Sequence, residues 1–145
     1  MAAERPGNPG RLSRADRVLL RTFETGSLPA EGFHHRDHVQ MAWLHVRRYG
    51  LLEALDRFSK SLRRLARQAG QPGRYHETMT RAFMLLINER IERDEGDISW
   101  EEFARRNPDL LAWGPSVLEA YYDASVLGSD LARRVFVLPP GGGPV

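Results

Sequence analysis

Residues 51–69 read LLEALDRFSKSLRRLARQA, with apolar side chains at 51, 55, 58, 62, 65 and 69. Alternating steps of four and three residues follow one face of an α-helix, so the run predicts a helix from about Leu51 to Ala69. No polar residue interrupts that seam, and this helix reads as purely structural. Gly50 closes the helix before it, and Gly70 lies just past its end.

Working outward, the same repeat recurs on both sides. A second helix is expected over roughly 35–49. A first begins after Ser13, with Asp16 three residues on, turns Val18, Leu19 and Phe23 inward and stops at Gly26. Pro29 and Gly32 mark the turn between these two. Gln71-Pro72-Gly73 is a tight connection to a fourth helix, near Tyr75 to Arg93, with Met79, Phe83, Leu86 and Ile87 on one face. Ser99 and Glu102 form a capping box for a short helix that ends at Asn107-Pro108, and Ser116 and Ser129 open two more. No stretch alternates like a strand. The fold expected is all-α: a single-domain antiparallel helical bundle of about four main helices, with short C-terminal helices against it. The helical domain is placed at 11–138, between Gly/Pro-rich segments 1–10 and 139–145 that are expected to be disordered.

Composition narrows the chemistry. The 145 residues suit one domain, and the absence of cysteine excludes disulfides, thiolate metal sites and cysteine nucleophiles. No apolar run reaches the roughly 20 residues needed to span a bilayer, and Met1 to Gly10 has no apolar signal core, so a cytoplasmic protein without a membrane partner is expected. Lys60 is the only lysine among 21 basic residues, a skew that points to a GC-rich bacterial coding bias. Net charge is only +2, and bases alternate with acids, as in Glu89-Arg90-Ile91-Glu92-Arg93-Asp94-Glu95. That pattern is a solvated face, and no nucleic-acid partner is expected.

All five histidines fall between residues 34 and 76. In Phe33-His34-His35-Arg36-Asp37-His38, His35 and His38 share a helix face, and their stripe continues through Ala42, His45 and Tyr49. His34/His38 is the competing pair, although a helix starting at residue 35 leaves His34 outside it. In Tyr75-His76-Glu77-Thr78, His76 heads the inward stripe of the fourth helix. In an up-down bundle the second and fourth helices run parallel, which brings His35, His38 and His76 to one end of the molecule. Imidazoles from two helices offer nitrogen ligands to a divalent Cu, Fe, Zn or Ni ion, with Glu77, Asp37 or Glu24 as oxygen ligands or hydrogen-bond acceptors behind them. His45 reads as a core residue. Arg74 and Arg81 are candidates for holding an anionic substrate, with surface arginine the plainer reading. Tyr121 and Tyr122 read as core and rim, and Thr78 and Thr80 as capping or carbonyl-bonding residues. No phosphate-binding glycine loop or nucleophile elbow is present.

Through Phe33-x-His35-x-Asp37-His38, Tyr75-His76-Glu77-Thr78, Tyr121-Tyr122 and Ala132-Arg133-Arg134-Val135-Phe136-Val137, residues 18–138 resemble a family of small bacterial helical proteins without an assigned function. The resemblance implies a bundle with a shared polar site at these positions, and no particular substrate or metal. His34 stands where a small polar residue is expected. The leading expectation is thus a small metal-dependent enzyme of bacterial secondary metabolism, with an oxidoreductase favoured. It would act on a small molecule, with His35, His38 and His76 as ligands and Glu77, Asp37 and Tyr75 as catalytic groups. Two alternatives stand beside it: a metal-free His/Glu acid–base enzyme (isomerase, cyclase or hydrolase), and a metal- or ligand-binding module without turnover.

Overall fold

The chain's order of elements follows from where its caps and glycines fall. The computed structural model describes residues 12–94 and 96–141. The expected N-terminal disorder and most of the C-terminal tail therefore lie outside the described residues. Among the described residues all regular secondary structure is helical, without strands. Four principal helices, α1 (Arg14–Glu24), α2 (His35–Tyr49), α3 (Leu51–Gln68) and α4 (Glu77–Arg93), are followed by α5 (Trp100–Arg106), α6 (Pro108–Leu111), α7 (Ala124–Leu127) and α8 (Asp130–Arg134). Single 3-10 turns lie at Pro72–Arg74 and Val117–Ala120.

α1 starts on the expected cap: the Asp16 amide donates to Ser13 Oγ at 3.0 Å, and the Ser13 amide donates to the Asp16 carboxylate at 3.2 Å. Its buried face is narrower than the sequence reading. Leu20 and Phe23 are buried, whereas Val18 is 59% exposed. Only one flank of α1 meets the bundle, so a residue two places from Leu20 turns to water. At Ser99 half of the expected box forms: the Glu102 amide donates to Ser99 Oγ, while the Glu102 carboxylate holds Arg105 and Arg106. Pro108 begins α6, one of two four-residue helices, with α7, that periodicity does not announce.

α2 is the centre of the core. Val39, Met41, Ala42, Trp43, Leu44, His45, Val46 and Arg47 are all buried, because α1, α3, α4 and α6 surround it. Gly50, at φ 80, reverses the chain between α2 and α3, a backbone state that costs glycine nothing. The seam of α3 departs from the reading at its end and flanks. Ala69 is exposed, and Ser59 and Ser61 are buried beside Phe58, Leu62 and Leu65. Behind α2, Trp43 meets Trp100 and Phe103 of α5 at centroid distances of 5.8 and 6.0 Å. Trp100 is therefore core, while Trp113 is 58% exposed.

The C-terminal segment is bolted to the start of α4. Thr78 Oγ1 donates to the Val135 carbonyl at 2.8 Å and accepts the Val137 amide at 3.0 Å, and Tyr122 Oη donates to the Val137 carbonyl at 2.7 Å. Residues 135–137 are thereby held across the helix terminus that carries His76.

Candidate functional site

A cavity of about 560 Å³ opens between the N-terminal halves of α2 and α4 and the C-terminal half of α3. This size falls within the range of small-molecule sites. α2 contributes His35, His38, Val39 and Ala42; α4, with its cap His76, contributes Met79, Thr80, Phe83 and Ile87. Because α2 and α4 present their N-terminal halves to one space and α3 its C-terminal half, the first and last run parallel. The predicted convergence of His35, His38 and His76 on one site follows from that arrangement.

The three rings differ in their bonding. His76 is the N-cap of α4: its Nδ1 accepts the Met79 amide at 3.1 Å, so the ring proton sits on Nε2, which donates to the Leu127 carbonyl at 2.7 Å. Both nitrogens are spent on backbone. His35 Nε2 donates to the Leu110 carbonyl at 2.9 Å, and its ring lies between Phe83 and Trp113 at centroid distances of 5.1 and 4.7 Å. His38 leans on Phe33 with centroids 4.5 Å apart and has no hydrogen-bond partner among the described residues.

Burial keeps all three imidazoles neutral at pH 7. It pushes His38 from the ordinary 6.5 down to about 4, helped by His35 and Arg74 and opposed by Asp37. Burial also lowers His35 and His76, against the hydrogen bonds to Leu110 and Leu127, with Arg133 adding to the depression of His76.

The expected carboxylate partners are elsewhere. Glu77 turns away from the cavity and is gripped by Arg81 Nε at 2.6 Å, Tyr75 Oη at 2.7 Å and Arg63 at 3.0 Å. Burial pushes its carboxyl up, but the bonds from Arg81, Tyr75 and Arg63 outweigh it, and the group sits below the usual range. Asp37 accepts the His34 amide at 2.8 Å, closing the start of α2. Tyr75 presents its ring to the cavity but commits its hydroxyl to Glu77; burial, then that carboxylate, raise its pKa. Glu24 belongs to a separate cluster, where it accepts from Tyr49 Oη at 2.7 and 2.8 Å and lies 3.9 Å from His45 Nε2. His45 is core, as expected, its Nδ1 donating to the Met41 carbonyl at 2.7 Å. His34 is exposed at the cavity mouth.

Of the two arginines weighed from sequence, Arg81 is taken by Glu77 and Arg74 lines the cavity. Arg133 and Trp113 line it too, as does a wall from α3 formed by Phe58, Leu62, Leu65 and Ala66. The α3 seam is therefore cavity wall as well as core. Periodicity announced that seam but gave no sign that it borders a void. Tyr121 and Tyr122 stay outside the lining, with Tyr122 buried and Tyr121 on the rim of the molecule.

Among the described residues, no group of three or more His, Asp or Glu side chains is placed to hold a metal ion. The donor chemistry agrees, since a ligating His76 would have to abandon either the α4 cap or the Leu127 carbonyl. A three-histidine centre does not fit the bonding as it stands. Among the described residues, no helix is long and apolar enough to cross a membrane. Comparison with known protein families, curated proteins and solved structures finds no match to this chain, so the family resemblance rests on the motif residues alone.

Proposed function

We propose that the chain binds one small organic molecule in the histidine-lined cavity and moves a proton on it through His38, as a metal-free acid–base enzyme of the isomerase, cyclase or hydrolase kind. A single observation carries this reading. Among the described residues, His38 alone of the three inward imidazoles has no hydrogen-bond partner, while its ring edges a space of about 560 Å³. An imidazole left neutral and unpaired beside a void keeps a lone pair for a ligand's proton. His35 and His76, fixed by backbone carbonyls, are rigid walls of the same chamber and set its shape. Glu77, Asp37 and Tyr75 then support the site instead of reacting in it: Glu77 anchors Tyr75, and Asp37 closes the start of α2.

The test pairs two variants. Small molecules found by thermal shift should move the His38 imidazole nitrogen resonances on binding. They should bind His38→Gln within a few-fold of wild type while turnover is lost. Ala66→Phe, which fills the cavity from α3, should fold and bind none of them. Ligands that bind Ala66→Phe as well as wild type sink the cavity reading. Stoichiometric uptake of Zn(II) or Cu(II) by tag-free protein, with a thermal stabilisation that His38→Gln removes, would replace the acid–base reading with the metal one.

A further inference from the structure

We propose that the cavity selects an organic anion, a carboxylate carried on an apolar alkyl or aromatic body, with Arg74 and Arg133 binding the charge at its mouth. This rests on the cavity being a ligand site. Arg74 ends the 3-10 turn after α3, and Arg133 projects from α8 to donate to the Gly73 carbonyl at 3.2 Å, so both arginines flank one turn on one rim. Both line the cavity and both are exposed.

Their bonding differs from that of the arginines spent on carboxylates. Arg63, Arg81, Arg90 and Arg106 each hold a carboxylate at between 2.6 and 3.2 Å. Arg74 instead donates to the Gln71 side-chain oxygen at 2.8 Å, and Arg133 to a backbone carbonyl. Neither has a carboxylate partner among the described residues. The chain has 19 acidic residues, yet none of the described Asp and Glu side chains lines the cavity. Its remaining polar lining is neutral: imidazoles, Thr80 and Gln71.

Two unneutralised guanidinium groups therefore face a chamber without a countercharge. Their charge is felt inside: Arg133 helps to depress His76 after burial, and Arg74 helps to depress His38 after burial and His35, against a stronger opposing pull from Asp37, which stays outside the lining. A cation entering would meet repulsion and a neutral molecule indifference, whereas an anion gains the planar forks that fit carboxylates. Leu62, Leu65, Met79 and Phe83 supply the surface that would bury the ligand's body.

The experiment compares 4-phenylbutyrate, 4-phenylbutanol and 4-phenylbutylamine, one body with three head groups, by titration calorimetry on the full chain at low ionic strength. The acid should bind about tenfold or more tighter than the alcohol, with the amine weakest. The double variant Arg74→Gln/Arg133→Gln, at two exposed positions that tolerate the change, should bring the acid down to the alcohol's affinity. Added salt should do the same for wild type, and acetate, which lacks the body, should not bind measurably. An alcohol that binds as well as the acid overturns the anion preference and leaves the cavity reading standing. A preference that survives the double variant overturns the role of the arginines, and measurable acetate binding overturns the need for an apolar body. If none of the three phenylbutyl compounds binds, the cavity reading fails and this proposal with it.

Discussion

Lowering the pH from 7 to 5 should destabilise this protein steeply, by an amount set by two buried histidines. His38 and His45 are each pushed from the ordinary 6.5 down to about 4, chiefly by burial. His38 faces His35, Arg74 and Asp37; His45 faces Glu24 and Arg57 and sits within the rings of Phe23, Phe58 and Tyr49. A histidine depressed in the native state takes up protons more readily once unfolded. Its contribution is therefore intact above about pH 6.5 and is lost as the pH falls toward about 4. At pH 5 that linkage is worth about 2 kcal/mol per site, or about 4 kcal/mol for the pair. This is a large share of a stability on the order of 5–15 kcal/mol. His35 and His76, lowered in the same direction by burial, add to it. Urea unfolding at the two pH values measures it directly. His45→Phe, an aromatic replacement within an aromatic cage, should remove about 2 kcal/mol of the pH dependence and His38→Gln a similar amount. A urea midpoint that does not move between pH 7 and 5, or that moves equally in wild type and His45→Phe, would refute the reasoning.

The ion-paired carboxylate and the C-terminal bolt give two further predictions. Glu77→Gln removes the charge that Arg63, Arg81 and Tyr75 share, and should lower the unfolding free energy by about 2 kcal/mol. Binding in the cavity and turnover should persist; loss of turnover with stability and binding intact would make Glu77 a catalytic group after all. Thr78→Val deletes both bonds that hold residues 135–137 and should cost about 2 kcal/mol. Hydrogen exchange should show Val137 as the amide that loses most protection, and an unchanged Val137 rate would mean that the tail is held by packing instead.

How much of this was legible in the chain depends on the range of the interaction involved. The helix boundaries at Ser13, Gly50 and Gly70 were readable, because capping and glycine conformations are settled within a turn of the residue. The stripe His35-His38-Ala42-His45-Tyr49 was readable for the same reason: the helical repeat alone fixes which side chains share a face. Parallel placement of α2 and α4 followed from the two reversals on either side of α3, and it brought His35, His38 and His76 to a common space. What each imidazole does there was not legible. The partners that decide it are carbonyls of Leu110 and Leu127, 75 and 51 residues away in the chain, at the C-terminal ends of α6 and α7, short helices that periodicity does not announce. Glu77 illustrates the same limit in reverse. One residue after an inward histidine it looked like that histidine's partner, but a step of one residue turns a side chain about 100° around a helix. That rotation carries the carboxylate out of the cavity and onto Arg63 and Arg81. Sequence spacing thus identified the groups that share the chamber, while the long-range backbone contacts left His38 as the imidazole with both nitrogens unbonded among the described residues.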